Sequence, residues 1–272
     1  MMEQIKQLRD KTGCGIGDCK SALEEASGDI DKAIEILRKQ GLAKAAKRAD
    51  RDTSEGVILA EVNADNTEGY MVEINSETDF VARNEKFQEF AKKIFDLVKT
   101  KKPASRDELL SLELDNSSVQ EQIEILSGTI GEKINLKDMF VVNGSVVASY
   151  IHGGGRIGVL ISLTGGTPEL AKDIAMQVAA ANPKYITSDE VPAEEIDKEK
   201  DIYREQLKNE GSPRFGEAGK PENIIENILT GKINKYFEEI CLVKQVYIKD
   251  DKQKVEQVLG DVKVEKFVRF SL

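Results

Sequence analysis

The stretches EFAKKIFDLV (residues 89–98) and ELAKDIAMQV (residues 169–178) share Glu, Ala, Lys, Ile and Val at equivalent positions. A helical pattern that appears twice points to one supersecondary unit made twice. Ahead of the first copy lie VILAEVN (57–63) and YMVEIN (70–75), two strand-like runs joined by the turn-rich ADNTEG. Ahead of the second lie MFVV (139–142), a turn at Asn143-Gly144, SVVASYI (145–151), the turn HGGG and RIGVLISL (156–163). Asn84 is placed to cap the first helix, whose buried stripe is Phe87, Phe90, Ala91, Ile94 and Val98, and Thr167-Pro168 opens the second. The predicted fold class is α+β, built on two duplicated strand-strand-helix subdomains.

Outward from this pair, the N-terminal residues read as three short helices over 2–11, 17–26 and 29–40, with Gly41 placed to end the third. The organisation expected is a three-helix module over 1–41, a linker over 42–55, a first core subdomain over 56–140 and a second over 141–272. Residues 190–240 interrupt the second subdomain as a helical hairpin of coiled-coil type. Its apolar positions are Ile196, Tyr203 and Leu207, then Ile225, Ile228, Leu229 and Phe237. Between them NEGSPRFGEAGKP (209–221) is loop chemistry. LVKQVYI and VKVEKFVRF then return to complete the second sheet. Within the first subdomain, Ser118 and Glu121 fit a capping box ahead of Val119, Ile123, Leu126 and Ile130.

The 272 residues carry a net charge of -10, which argues against a nucleic-acid backbone as a direct partner. The one basic run, KAAKRADR (44–51), reads as a solvated linker. No apolar run reaches the roughly 18 residues of a membrane span, and the start lacks a secretory or transit pattern, so the expected compartment is the cytoplasm. Cys14, Cys19 and Cys241, with a single histidine, give no metal-site spacing and read as reduced thiols. Gly153, Gly155 and Gly158 satisfy G-x-G-x-x-G, but with strands on both sides, so the glycines serve a turn and not a dinucleotide. There is no P-loop and no nucleophile elbow around His152. No catalytic residue, cofactor or metal is assigned, and an enzyme is not expected.

The stretch EINSETDFVARNEKFQEF (73–90) leaves a strand, turns, and starts a helix at a second signal. Thr78-Asp79-Phe80-Val81 lies in the gap, and two readings are open. Thr78 or Asp79 caps a short turn that Phe80 and Val81 staple to the body, or the apolar tip projects toward another molecule. GCGIGDCKSAL (13–23) is likewise a glycine bend or a docking edge.

Four stretches, LRDKTGCGIGDCKSALEEASGDIDKAIEILRKQG (8–41), NSETDFVARNEKF (75–87), GEKINLKD (131–138) and SYIHGGGRIGVLISL (149–163), together resemble the elongation factor Ts family, in family order over most of the chain. The resemblance implies a ubiquitin-associated-like (UBA-like) N-terminal module. It also implies a guanine-nucleotide exchange factor that binds elongation factor Tu and accelerates GDP release. In the family pattern Asp79 and Phe80, flanked by Thr78 and Val81, are the pair that enters the partner's GTPase domain and disturbs its Mg2+ site. Lys20, Ile130, Gly131 and His152 match further partner contacts. Many family members carry another helical module after the final strand, whereas this chain ends at VEKFVRFSL, so that contact is not expected here. An adaptor that binds through the UBA-like module without catalysing exchange is the alternative, and a homodimer through the core or hairpin stays open.

Overall fold

The structure, a computed structural model, describes residues 1–209 and 222–272. The described chain forms two units, one of Met1–Asn143 with Ser149–Leu160 and Phe270–Leu272, the other of Gly144–Ala148 with Ile161–Arg269.

In the first unit α1 (Met2–Thr12), α2 (Ile16–Glu25) and α3 (Ile30–Ala46) bury Leu8, Cys19, Ala22, Leu23 and Ala33 among themselves. The Asp29 carboxylate accepts the Asp31 and Lys32 N–H groups at the start of α3. Next come β1 (Glu55–Val62), β2 (Glu68–Ser76), α4 (Asp79–Ala82) and α5 (Glu85–Lys101). Then follow α6 (Arg106–Ser111), the short pair β3 (Glu113–Leu114) and β4 (Ser117–Ser118), α7 (Val119–Ile130) and β5 (Ile134–Asn143). The first sheet has the order β1-β2-β5, antiparallel throughout. Its centre strand β2 is buried along its whole length, and α5 lays Phe87, Phe90, Ala91, Ile94, Phe95 and Val98 onto the sheet.

Two expectations are corrected here. Gly41 does not end the third helix, which continues to Ala46. Gly41 is a packing position: a Cβ on Gly128 of α7 would stand 2.5 Å from the Gly41 Cα. Glycine lets the α3 and α7 backbones touch, a use that looks like a stop signal in sequence. Met139–Val142, expected to open the second repeat, instead belongs to β5 and closes the first sheet, with Met71 opposite Phe140. A bulge between Glu73 and Ile74 leaves Lys137 out of the ladder, so the inward residues run Ile134, Leu136 and then Met139. That change of parity hides a ten-residue strand from an alternation test.

The supposed linker is held down. Lys44 pairs with Asp18, Arg48 donates to the Ser127 carbonyl, and Arg51 reaches the Glu77 carboxylate. Lys44, Arg48 and Arg51 of the basic run are thus spent on contacts within their own unit.

The remaining elements are β6 (Val146–His152), β7 (Ile157–Leu163), α8 (Pro168–Ala181), α9 (Ala193–Asn209) and α10 (Glu222–Ile240). The chain ends with β8 (Val246–Tyr247), β9 (Asp250–Lys254), α11 (Val255–Leu259) and β10 (Val264–Ser271). The second sheet has the order β10-β7-β6. Each three-stranded sheet therefore puts its second strand in the middle and its last beside it, and α5 and α8 each follow a middle strand. On α8, Ala171, Ile174 and Val178 are buried, as are Ala91, Ile94 and Val98 at the matched positions of α5. Because β5 and β6 lie in different sheets, Asn143-Gly144 is a crossing between sheets and not a hairpin turn. Gly144 has no room for a side chain there, since a Cβ would stand 1.9 Å from the Ser162 hydroxyl.

β10 joins the second sheet as expected, but LVKQVYI does not: among the described residues β8 pairs with β9 in a separate two-stranded sheet. The buried Gln177 of α8 supplies what a neighbouring strand would, donating to the Val246 carbonyl and accepting from the Ile248 N–H at 2.8 Å. α9 and α10 pack together, burying Leu207, Leu229 and Ile233, with Arg204 on Glu226 at 3.0 Å. Ile233 stands one turn after Leu229 and completes the stripe. Residues 210–221 of the expected loop lie outside the described residues. Among the described residues no helix is long and apolar enough to cross a membrane.

Candidate partner-binding tip

Thr78 caps α4 through its hydroxyl, which accepts the Val81 N–H at 3.4 Å. The helix is a single turn, because Asn84 immediately starts α5 by accepting the Lys86 N–H at 2.9 Å. Two caps this close leave room for one turn only. Val81 and Ala82 point inward and are buried, whereas Phe80 is 83% exposed. The two readings of the gap thus divide by residue: Val81 is the staple and Phe80 projects. Asp79, at the start of the turn, pairs with Arg83 at 3.1 Å.

The tip is tied at its base. The Glu132 carboxylate accepts the Thr78 N–H at 3.0 Å and the Thr78 hydroxyl at 2.8 Å. The Ser76 hydroxyl donates to the Thr78 carbonyl at 3.0 Å. Glu77 accepts the Lys133 N–H at 2.6 Å and the Arg51 guanidinium at 3.1 Å. Burial pushes the Glu77 carboxyl up, but those donors outweigh it and hold its pKa below the ordinary 4.5.

The other expected contact residues are all in the first unit, at separate places. Ile130 is half-buried at the end of α7, and Gly131 follows as its left-handed cap at φ 94 with open space around it. They are the two residues that precede Glu132, the tip's anchor. Lys20 is exposed on α2, 3.8 Å from Glu24. His152 is exposed at the end of β6, its Nδ1 3.1 Å from the Tyr150 hydroxyl and the two rings stacked at 6.1 Å. In the turn after it, Gly153, Gly154 and Gly155 take φ of 62, 67 and 98, which suits glycine, and Arg156 pairs with Glu55 at 2.8 Å. Glu55 foremost, with a smaller share from the field of Asp79, raises the Arg156 pKa.

The cysteines are free; burial pushes the Cys241 thiol up to about 11 and raises that of Cys19 as well. Among the described residues no group of three or more His, Cys, Asp and Glu could hold a metal ion.

A family model described as Elongation factor TS matches residues 77–272, more than half of the chain. The chain is 45% identical to the elongation factor Ts of Prosthecochloris aestuarii, over 99% of this chain and 97% of that protein. The chain belongs to the elongation factor Ts family. It is also 45% identical to the elongation factor Ts of Hydrogenobaculum sp. (99% and 97% covered) and 43% identical to that of Clostridium perfringens (98% and 90%). Its role is therefore that of a translation elongation factor. The elongation factor Ts match opens at Glu77, the first residue beyond β2 and the base of the tip.

Sequence reasoning named the four tip residues but missed what holds them. Glu132 stands 54 residues from Thr78, and no local spacing joins them. The signal that could have found it is strand register: Ser76 faces Ile134, so Thr78 must face Glu132.

Proposed function

We propose that this protein is a guanine-nucleotide exchange factor for elongation factor Tu, acting in the cytoplasm through protein contact and not as an enzyme. The observation that carries the reading is Phe80, a large apolar side chain 83% exposed on a turn whose neighbours Val81 and Ala82 are buried. A lone exposed phenylalanine on a loose loop would mean little; one on a capped and tethered turn is shaped for insertion.

The mechanism follows from what the partner must release. A bound nucleoside diphosphate is held through a phosphate loop and a magnesium ion that tolerates little departure from octahedral geometry. A rigid aromatic pushed between supporting helices displaces those ligands, and Asp79 beside it adds a carboxylate to the disturbed region. Burying Phe80 in the partner supplies about 1.5–3 kcal/mol. Weakening GDP by about ten-thousand-fold requires roughly 5.5 kcal/mol of coupling. The remainder falls to other contacts, for which Lys20, Ile130, Gly131 and His152 are the candidates. By linkage, nucleotide weakens the factor's own binding by the same amount, so exchange is a competition.

The test is stopped-flow release of fluorescently labelled GDP from elongation factor Tu, with and without the intact chain. Acceleration that saturates with added chain is expected. Binding without acceleration would overturn the reading and favour an adaptor.

A further inference from the structure

We infer that Glu77 and Glu132 form a crossed carboxylate clasp that positions Phe80, and that both are positioning residues for nucleotide exchange. The inference rests on the exchange reading above. β2 and β5 exchange ladder hydrogen bonds up to the pair Ser76 and Ile134. Beyond that rung the backbones no longer meet, and two side chains take over. Glu77, on the β2 side, accepts the backbone N–H of Lys133 at 2.6 Å. Glu132, on the β5 side, accepts the backbone N–H of Thr78 at 3.0 Å. Each segment thus lends a carboxylate to the other's main chain, in charge-assisted bonds stronger than the amide rungs they replace.

Every other contact of the clasp also stiffens the tip. The Thr78 hydroxyl donates to Glu132, which leaves its lone pairs for the Val81 N–H and fixes the cap of α4. The Ser127 hydroxyl donates to the Glu132 carbonyl at 2.6 Å, tying the end of α7 to the same point. The Lys133 ammonium donates to the Ala49 and Arg51 carbonyls, and Arg51 returns to Glu77. Phe80 makes no such bond itself. Its exposed ring borrows its direction from this base, and the base also fixes Ile130 and Gly131 relative to it. An insertion device needs that: a tip free to swing would have to be ordered on each encounter, at the expense of the transition state.

Glu132→Gln is the sharpest probe, because the amide keeps the shape, retains one acceptor, and turns its N–H2 toward groups that also donate. It is expected to lower the maximal GDP-release rate about tenfold. The half-saturating concentration should stay within about twofold, since encounter is carried by other contacts. In a Phe80→Ala background the same substitution should change the rate by less than about twofold, because the clasp acts through the ring. Should Glu132→Gln fail to fold, Glu77→Gln, at the other carboxylate of the clasp, makes the same comparison. Equal loss in both backgrounds, or no loss in either, overturns the clasp. The failure of the exchange reading looks different: the unsubstituted chain itself would then leave GDP release unchanged.

Discussion

In the first repeat the chain leaves its middle strand through residues 77–84; in the second it leaves through residues 164–167, half the length. The short exit, Thr-Gly-Gly-Thr, goes straight from β7 into α8, with Gly166 at φ 90 and Thr167 as the cap. It is tied to the residue before β10 directly: the Thr164 N–H donates to the Lys263 carbonyl at 2.9 Å, and the Lys263 N–H to the Thr164 hydroxyl at 3.0 Å. The long exit carries the extra turn α4, and there the tie to the residues before β5 is made by carboxylates. Both repeats thus clamp the exit of the middle strand to the entry of the last, which is what the fold requires. Only the first adds a turn with an exposed aromatic, which the fold does not require.

If that contrast is right, replacing residues 77–84 with the sequence TGGT should leave a folded protein that no longer accelerates GDP release. This is the largest effect expected, and retained acceleration would break the comparison. A second contrast lies in the helices. Phe95 stands where the second repeat has Ala175, and both are buried. Phe95→Ala should lower unfolding stability by about 3 kcal/mol in urea titration, since loss of the buried ring leaves a cavity in the first core.

The smallest effect concerns the carboxylate tie. Because the folded-state pKa of Glu77 lies below 4.5, its contribution is full above that value and lost as pH falls through the folded pKa. Thermal midpoints on acidification should therefore fall less steeply for Glu77→Gln than for the unsubstituted chain, while already being lower at neutral pH. Parallel curves would remove Glu77 from the clasp.

How much of this was legible in the residues depends on range. Caps act within three or four residues, and Asn84, Ser118 and Thr167 were readable as helix starts, which the structure shows. The matched stripes of the two helices were readable for the same reason. Gly41 was misread because glycine serves a helix stop and a helix crossing equally well, and only Gly128 on another helix decides between them. β5 was divided wrongly because a bulge resets its alternation. At the tip the sequence left Phe80 undecided between inward and outward. Its direction is set by Glu132 and Glu77, whose partners come from the strand register.

The central claim, that the projecting ring of Phe80 drives nucleotide release, is tested most directly by the maximal rate of GDP release from elongation factor Tu with Phe80→Ala. Because the ring is exposed in the free protein, its removal should leave the thermal midpoint in place, and the rate should fall by roughly 10- to 100-fold. An unchanged rate from a normally folded Phe80→Ala protein would contradict the account.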